Sequence, residues 1–485
     1  MARSRTVASR KPLLLLLLLA AGTALVLAAG TATAAAAPAK AKPTKFTAGA
    51  PGIGDPYFPL EGNGGYDVGH YGLNLSYDPA THELAGVAQI TATATQNLSR
   101  FDLDLNGMTV HKVTVNGVTA SFTRDGQELR ITPRTGLPKK QAFRVNVSYD
   151  GVPQTIKASP IVFGADYGWQ YTPDGAFIGD EPNASSTWYP CNDHPSDKAT
   201  FTYKISVPDG TTVIANGDLL SHKSKAGSTT WVWDETSPMA TYLGTIDIGK
   251  WTIQSGTTAG GIPETIAYDP DLAADVAARQ TFKLSGDITD FWSKEFGPYP
   301  FTSTGAIVDN VPGVGFSLET QTRPLYGFAP DPGTASHELS HQWFGDSVSV
   351  QTWKEIWLNE GFATFSASLW TEHTGGASTY ASALASYNRI AATSSFWNQS
   401  IADPQRDTMF SSAVYTRGGM TLAALRHRIG DYDFFNLLHK WTAQHRYGNA
   451  TTAQFTALAE QVSGQDLGAF FQTWLWNKTK PAVFD

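Results

Sequence analysis

The sequence predicts a multidomain α+β protein, with an antiparallel β domain in its first half and a mostly helical second half that contains a small sheet. The chain of 485 residues is 41% hydrophobic and 12% aromatic, so it can form sizeable cores. From about Tyr66 to Thr252 apolar and polar residues alternate. After about Ile253 the apolar residues take the wider spacing of helices.

The β prediction depends on alternation with a period of two. It is clearest in residues 101–105, 143–149 and 201–207, where every second residue is apolar. In a strand this period places one set of side chains on a core face and the other in water. The pairs Asn116-Gly117 and Asp150-Gly151 are turn signals between such runs.

The helical prediction covers eight segments with apolar residues three or four positions apart. These segments are 273–294, 334–345, 359–373, 378–393, 415–429, 432–445, 452–463 and 466–477. A short strand, Gly305 to Val308, is predicted before the glycine-bearing loop Val311 to Phe316.

The amino terminus has the order of an export signal. Basic residues precede the run Leu13 to Leu19, and a small-residue tract ends at Ala37, so residues 1–37 are predicted to be a signal peptide and the protein to be secreted. An uncleaved membrane anchor is the alternative, because the apolar stretch approaches membrane-spanning length. Residues 38–58, rich in Ala, Lys, Pro and Gly, are predicted to be a flexible linker.

Charge and cysteine content exclude some functions. The net charge of −8 disfavours nucleic acid as a partner, since phosphate binding needs a basic surface. Cys191 is the only cysteine in the chain, so no intrachain disulfide can form. We expect this thiol to be a buried structural residue.

A metal site is indicated by the HExxH motif of residues 337–341. On a helix His337 and His341 lie one turn apart on the same face, so both imidazoles can reach one ion. Glu338 lies one step round the helix, where its carboxylate can take a proton from a metal-activated water. Pro332-Gly333 is a plausible start for this helix and Gly345 a plausible stop.

A third ligand is predicted from the segment Trp357 to Ala363. Its Glu360 lies nineteen positions after His341, on a second predicted helix. Two histidines and one glutamate leave a fourth position for water, as a catalytic zinc site requires. One Zn²⁺ per chain is therefore expected, although cobalt or manganese could occupy the same ligands in vitro.

These motifs, HELSHQWFGD followed by WLNEGFATF, resemble aminopeptidase N and its relatives, which include the leukotriene-hydrolysing enzymes. Thermolysin-type endopeptidases share the HExxH helix but place the glutamate differently and lack the WLNEG phrase. The resemblance implies an N-terminal antiparallel, β-sandwich-like (saddle) domain at 59–253. A thermolysin-like zinc peptidase catalytic domain would follow at 254–485.

The resemblance also implies which residues bind the substrate and stabilise the reaction intermediate. The family's Gly-Ala-Met-Glu-Asn motif corresponds to residues 316–320, FSLET, where Glu319 matches the glutamate that binds the substrate's free α-amino group. The motif's first and last residues are replaced here. Counting back from Cys191, Glu181 matches a second residue that holds the amino group. Tyr415 matches the family's tyrosine, whose hydroxyl stabilises the oxyanion.

The resemblance therefore implies a zinc aminopeptidase with Glu338 as general base, acting on peptides with a free amino terminus and not bound stably to a membrane after signal cleavage. The chain ends soon after the segment DLGAFFQTWLWNKTKP, so a more open site than in many relatives is expected. Two alternatives stay open: a zinc endopeptidase or epoxide-opening enzyme on the same scaffold, and a non-catalytic binding protein, which the intact metal ligands and Glu338 disfavour.

Overall fold

Alternating burial along long strands builds the first half of the molecule. The computed structural model describes residues 45–272, 279 and 283–484. Along Tyr66–Asp78, Tyr71, Leu73 and Leu75 are buried, while Gly72 and Asn74 between them reach solvent. The predicted period of two is therefore real, and it sets which face of each strand meets the core.

The strands of the first half follow one another closely along the chain. They are β1 (Thr47–Ala48), β2 (Tyr66–Asp78), β3 (Glu83–Ala94), β4 (Leu98–Asp104), β5 (Thr109–Val115), β6 (Val118–Thr119), β7 (Ser121–Asp125), β8 (Glu128–Thr132), β9 (Ala142–Gly151), β10 (Thr155–Ser159), β11 (Ala165–Tyr171), β12 (Ala176–Gly179), β13 (Ala199–Pro208), β14 (Thr212–Ala215), β15 (Asp218–Lys225), β16 (Ser228–Met239) and β17 (Ile246–Gly249).

These strands form three sheets. The largest has eight strands in the order β15-β16-β13-β2-β3-β9-β5-β6, and the others are β10-β11-β12-β17-β14 and β1-β4-β8-β7. Most neighbours are antiparallel, as predicted, but β2 and β13 run parallel. The long chain segment between these two strands permits a parallel pairing, which a short hairpin connection would not.

Of two turns predicted in this half, one is confirmed and one is corrected. The chain turns at Asn116-Gly117 between β5 and β6, with φ of 51° and 78°, as the sequence indicates. At Asp150-Gly151, however, β9 continues to Gly151 and pairs with Leu84 of β3. The tertiary pairing overrides the local turn signal there.

The predicted linker is also corrected where it is described. Residues 45–58 pack on the β domain: Thr47 pairs with β4, and the side chains of Tyr57 and Phe58 are buried. Asp55 accepts hydrogen bonds from the backbone of Trp353 and from His194. Composition alone did not reveal these contacts, because the partners are distant in sequence. The predicted signal peptide 1–37 and residues 38–44 lie outside the described residues.

The second half combines helices with two small sheets. Its elements are β18 (Thr252–Thr257), β19 (Pro263–Tyr268), α1 (Ser285–Glu295), β20 (Thr304–Val308), β21 (Ser317–Leu318), β22 (Leu325–Tyr326), α2 (Pro332–His341), β23 (Val348–Val350), α3 (Trp357–His373), α4 (Thr379–Arg389), α5 (Ser412–Ile429), α6 (Asp431–Gln444), β24 (Gly448–Ala450), α7 (Thr452–Ser463) and α8 (Gly468–Phe471), which continues as a π-helical turn at Gln472–Trp476.

The sheet of the second half runs in the order β18-β19-β20-β22-β21, and β23 pairs with β24. Strand β18 begins at Thr252, two residues before the predicted domain boundary, and belongs to this sheet by its pairing with β19. The exact boundary stays a prediction. The predicted α+β class, with a β-rich first half and a helical second half, is confirmed.

The core is continuous across both halves. One cluster of buried apolar side chains extends from Tyr57 in the first half to Phe484 near the end of the chain. Among the described helices, none combines the length and the apolar character that crossing a bilayer would require.

Candidate functional site

Helix α2 presents the HExxH residues. Asp331 caps its start by accepting hydrogen bonds from the backbone N–H of Gly333 at 2.7 Å and of Thr334 at 3.2 Å, and Pro332 occupies the first turn. The helix ends at His341, four residues before the predicted stop. A different loop, which contains Gly345, follows the helix, and the φ angle of Gly345 is +135°.

The two imidazoles converge on one point. The rings of His337 and His341 have centroids 4.9 Å apart. The Nδ1 of His341 lies 2.9 Å from the backbone oxygen of Phe344, so it donates there and leaves Nε2 as the nitrogen with a free lone pair. Three possible metal-ligand atoms lie within 4.8 Å of one another, one each on His337, Glu338 and His341. The spacing predicted from the sequence is therefore realised on one helix face.

Glu360 reaches the same point from helix α3. Its Oε2 lies 3.2 Å from Nε2 of His337 and 3.6 Å from Nε2 of His341. Burial would raise the pKa of Glu360, but the hydrogen bonds from the two histidines outweigh it and bring the pKa to about 2. The carboxylate is thus held ionised, the state in which it can ligate a cation.

A close helix contact fixes this arrangement. Helices α3 and α5 approach until a Cβ on Gly361 would lie 3.0 Å from the Cα of Gly418, and a Cβ on Gly418 would lie 2.7 Å from the Cα of Gly361. Both residues are therefore required to be glycine at this spacing. The contact lies next to Glu360 on one helix and three residues from Tyr415 on the other, so it sets how closely these side chains meet.

Tyr415 lies beside the metal donors. Its ring stacks on that of His337, with centroids 6.1 Å apart and an interplanar angle of 16°. Burial and the neighbouring Glu360 carboxylate raise the pKa of Tyr415 well above its ordinary value. The hydroxyl therefore keeps its proton at neutral pH and can donate a hydrogen bond.

The two predicted amino-group ligands meet next to this centre. Glu319 follows the edge strand β21 and is buried, and Glu181 follows β12. Each has an Oε1 atom that is buried and has no hydrogen-bond partner among the described residues. Burial and the proximity of the two carboxylates raise the pKa of Glu181, and burial raises that of Glu319. Such orphaned acceptors are costly unless a donor from a ligand satisfies them.

The site contains more carboxylates than positively charged groups, so it favours the binding of cations. Four carboxylates, those of Glu181, Glu319, Glu338 and Glu360, interact electrostatically around His341. Burial raises the pKa of Glu338, with His341 acting in the opposite direction. Burial would lower the pKa of His341, but the carboxylates, Glu319 first, raise it. One divalent cation together with one ammonium group would offset three of these four negative charges.

Some residues of the site carry no sequence signal. Tyr242, fully buried, lies near Glu319 and Glu181 and accepts a 3.5 Å hydrogen bond from Nδ2 of Asn359. Gln342 donates to the backbone oxygen of Glu319 at 3.3 Å. Tyr242 comes from the loop between two strands of the first half, so only the fold brings it to the metal helix.

An apolar cavity of about 250 Å³ opens beside the two carboxylates. Glu181 and Tyr415 both contribute to its lining. Its walls carry aromatic and aliphatic side chains, namely Val162, Phe163, Ala165, Tyr167, Phe316, Leu318 and Phe410. Phe163 is 66% exposed and lies at the rim. Glu181 is the charged side chain in this lining, so the cavity suits an apolar group that extends from the ammonium position.

The donor set fits a divalent transition metal. Two imidazole nitrogens and carboxylate oxygens are ligands that such ions favour, and the hydrogen bond from Nδ1 of His341 to Phe344 orients that ring for coordination. The roles assigned to individual residues stay predictions, but the structure brings every predicted site residue into one neighbourhood.

Comparison with known proteins matches both halves of the chain to one family. The Peptidase M1 N-terminal domain corresponds to residues 68–243, and the Peptidase family M1 domain corresponds to residues 333–474. The second match contains the HExxH helix, Glu360 and Tyr415.

Curated relatives include an aminopeptidase N of Streptomyces lividans, which is 25% identical over 409 residues, covering 77% of this chain and 46% of the relative. A leucyl aminopeptidase of Saccharolobus solfataricus is 25% identical over 439 residues, covering 86% of this chain and 54% of the relative. The chain thus spans about half the length of these curated relatives.

Among solved structures, an M1 zinc metallopeptidase of Deinococcus radiodurans superposes with a TM-score of 0.81 at 28% identity, covering 90% of this chain and 99% of that one. A variant of that protein bound to a Tyr-Ser-Ala substrate gives a TM-score of 0.82 at 27% identity, with coverage of 90% and 99%.

Proposed function

The chain belongs to peptidase family M1, and from this premise we propose that it is a zinc-dependent aminopeptidase that removes the first residue of peptides. The observation that supports an exopeptidase most directly is a pair of buried carboxylate oxygens, one each on Glu319 and Glu181, that find no hydrogen-bond partner in the described part of the chain. A free amino terminus supplies the N–H donors and the positive charge that these oxygens lack.

The substrate's ammonium group docks against Glu319 and Glu181. This contact places the first peptide bond next to His337, His341 and Glu360, which would hold the zinc ion. Zinc, when bound, lowers the pKa of water and polarises a carbonyl. If a peptide substrate were bound with an internal peptide bond at the metal, no ammonium group would reach the two carboxylates, and they would stay unpaired. The site therefore favours cleavage of the first peptide bond over internal bonds.

Glu338 performs the proton transfers. Its carboxylate takes the proton of the attacking water and then delivers a proton to the nitrogen of the leaving amine. A buried carboxylate whose pKa is raised is suited to both steps, because it exchanges protons closer to neutral pH. The hydroxyl of Tyr415, kept protonated by its surroundings, donates a hydrogen bond to the oxygen on which negative charge develops.

The apolar cavity supports a preference for large apolar first residues. A dry apolar cavity of about 150 Å³ already binds benzene, so the cavity of about 250 Å³ can hold an aromatic side chain. A lysine, arginine or glutamate side chain would lose its hydration there without gaining a charged partner other than Glu181, which is engaged by the ammonium.

The rim residue Phe163 offers a test of this preference. F163A is expected to lower kcat/KM for phenylalanyl and leucyl substrates by about tenfold, because an apolar contact is lost, while leaving alanyl substrates nearly unchanged. Tyr432, which is 85% exposed on α6, provides the matched control Y432A. Equal effects of F163A on phenylalanyl and alanyl substrates would contradict the placement of the first side chain.

We also propose that the protein is exported, on the basis of the signal-like order of residues 1–37. Amino-terminal sequencing of the protein recovered from the culture medium tests this. A start near residue 38 is expected, and recovery only from the cell interior would contradict it.

The function is tested with one peptide in two forms. A tripeptide with a free amino terminus and its acetylated form are incubated with the mature protein, before and after chelation, and the products are identified by mass. Release of the first residue from the free form alone, abolished by chelation and restored by zinc, is expected. Internal cleavage of the acetylated form would instead establish an endopeptidase.

A further inference from the structure

The metal helix α2 ends in a loop that holds one of its histidines. The backbone oxygen of Phe344 accepts the hydrogen bond from Nδ1 of His341 and so orients that ring. In the same loop the backbone N–H of Asp346 donates to the oxygen of His341 at 3.0 Å, and that of Ser347 to the oxygen of Gln342 at 3.2 Å. The position of this loop therefore decides the direction of the His341 ring.

Lys198 lies in the first half of the chain, directly before strand β13 of the large sheet, and its side chain reaches this loop. Its Nζ lies 2.6 Å from the backbone oxygen of Asp346, 3.1 Å from that of Ser347 and 3.4 Å from that of Gly448. An ammonium group has three N–H donors and no acceptor, so the three carbonyl oxygens match its donors.

A second contact ties the same segments together. Nδ2 of Asn449 donates to the backbone oxygen of Pro195 at 2.8 Å and to that of Val350 at 2.9 Å. Asn449 belongs to β24, which pairs with β23 directly after the loop. Residues 195–198 are thus fastened both to the loop and to the small sheet that follows it.

The loop also carries a buried carboxyl group, that of Asp346, whose charged form Lys198 favours. Asp346 is fully buried, and neither oxygen of its carboxylate has a hydrogen-bond partner among the described residues. Burial raises the pKa of Asp346, the Glu319 carboxylate adds to the effect, and His341 and Lys198 counteract it. Removing Lys198 would therefore disfavour the charged form of this carboxyl group further.

We propose that Lys198 is a positioning residue for the metal centre: it clamps the loop after α2 so that Phe344 holds the His341 ring with Nε2 facing the metal. This inference rests on the metal site of the proposed function and not on the choice of peptide substrate. Within the described part of the chain, the hydrogen bonds of Lys198 go to backbone oxygens of this loop and of Gly448, so it acts through the loop. Residues that orient metal ligands typically change metal affinity by 10- to 100-fold when they are replaced.

The test compares K198M with K480M. Lys480 makes the same kind of contact far along the chain, with Nζ 2.7 Å from the backbone oxygen of Tyr387 and 2.9 Å from that of Ile390. Both variants lose an ammonium that bridges backbone carbonyls. The zinc-loaded proteins are mixed with a chromogenic chelator, and the rate of zinc release and the melting temperature are recorded.

K198M is expected to release zinc about 10- to 100-fold faster than the unaltered protein, while K480M releases it at the unaltered rate although its melting temperature also falls. With saturating zinc, kcat of K198M should recover toward the unaltered value if the ring orientation is the main loss. If K198M is insoluble, K198Q, which keeps N–H donors but lacks the charge, takes its place with the same expected direction.

Two results would overturn the inference. Equal release rates for K198M and the unaltered protein would show that the loop holds His341 without Lys198. Equal acceleration in K198M and K480M would show general loosening of the fold. A purified protein that takes up no zinc would instead contradict the proposed function, so the two failures are distinguishable.

Discussion

At the scale of single residues, Glu338 is the group whose proposed role can be separated from metal binding. It lies on α2 between the two histidines, is buried, and is close enough to His341 to interact electrostatically. The proposed ligands of the zinc ion are His337, His341 and Glu360. A substitution at Glu338 should therefore affect proton transfer and leave the metal in place.

E338Q is expected to lower kcat by about 10²- to 10⁴-fold, the range typical for loss of a general acid–base group, with KM nearly unchanged and one zinc ion still bound. Steady-state kinetics and metal analysis of the same preparation measure this. E264Q, in strand β19, is the matched control and should retain full activity. Activity of E338Q within a few-fold of the unaltered enzyme would contradict the role of Glu338.

The two histidines of the predicted metal site meet in the structure because their geometry is local. His337 and His341 are one helical turn apart, so their spacing alone places both rings on one face. Glu319 and Glu181 were predicted only through a family resemblance. Tyr242 was missed entirely, since no local pattern in the sequence indicates which tyrosine the fold carries to the metal helix.

At the scale of elements, the contact between α3 and α5 determines how the site is assembled. Gly361 and Gly418 face each other with no room for a Cβ on either. The WLNEG segment therefore serves packing as well as the proposed metal binding. Its glycine, Gly361, lets helix α5 come close to helix α3.

G418A is expected to force the two helices apart, to cost about 1–3 kcal/mol of folding free energy as overpacking does, and to weaken zinc binding by displacing Glu360. Chemical denaturation and chelator competition measure the two effects. G468A is the control: Gly468 is exposed at the start of α8, and an added Cβ would meet only the Asp466 carboxylate, at 3.4 Å, and the Glu460 carboxylate, at 4.0 Å. Unchanged zinc affinity in G418A would show that Glu360 does not depend on this contact.

The prediction of elements succeeded where the apolar period was long. The helices at 357–373, 412–429 and 452–463 lie within a few residues of the predicted segments. It failed where a distant partner decides the conformation. The described residues of the predicted linker pack on β4 and Trp353, and neither contact has a signature in the linker's own composition.

At the scale of the whole molecule, the two halves share one core and a network of buried polar groups. Asp197 is one of these groups, buried beneath β2, where the backbone N–H of Val68 donates to it at 3.1 Å. Burial raises its pKa from 3.8 to about 8, while the hydrogen bond from Asn192 acts in the opposite direction. The folded protein therefore retains a proton that the unfolded chain releases.

This shift predicts a pH dependence of stability with a definite sign. The contribution of Asp197 is fully present below pH 3.8 and is lost as pH rises through about 8, because the folded state binds more protons in that interval. D197N, which cannot ionise, should flatten the decline in the free energy of unfolding between about pH 4 and about pH 8. Urea denaturation across this range measures it, and an unaltered slope in D197N would assign the decline to other groups.

The most direct test of the account concerns the substrate's amino group. Two leucyl anilides are compared, one with the α-amino group and one with hydrogen in its place, using the unaltered enzyme and E319Q. We predict that the unaltered enzyme prefers the amino form by about 100-fold or more in kcat/KM, as expected for a buried charge pair, and that E319Q loses most of this preference. The same preference in both proteins would show that Glu319 does not read the amino terminus and would contradict the assignment as an aminopeptidase of this design.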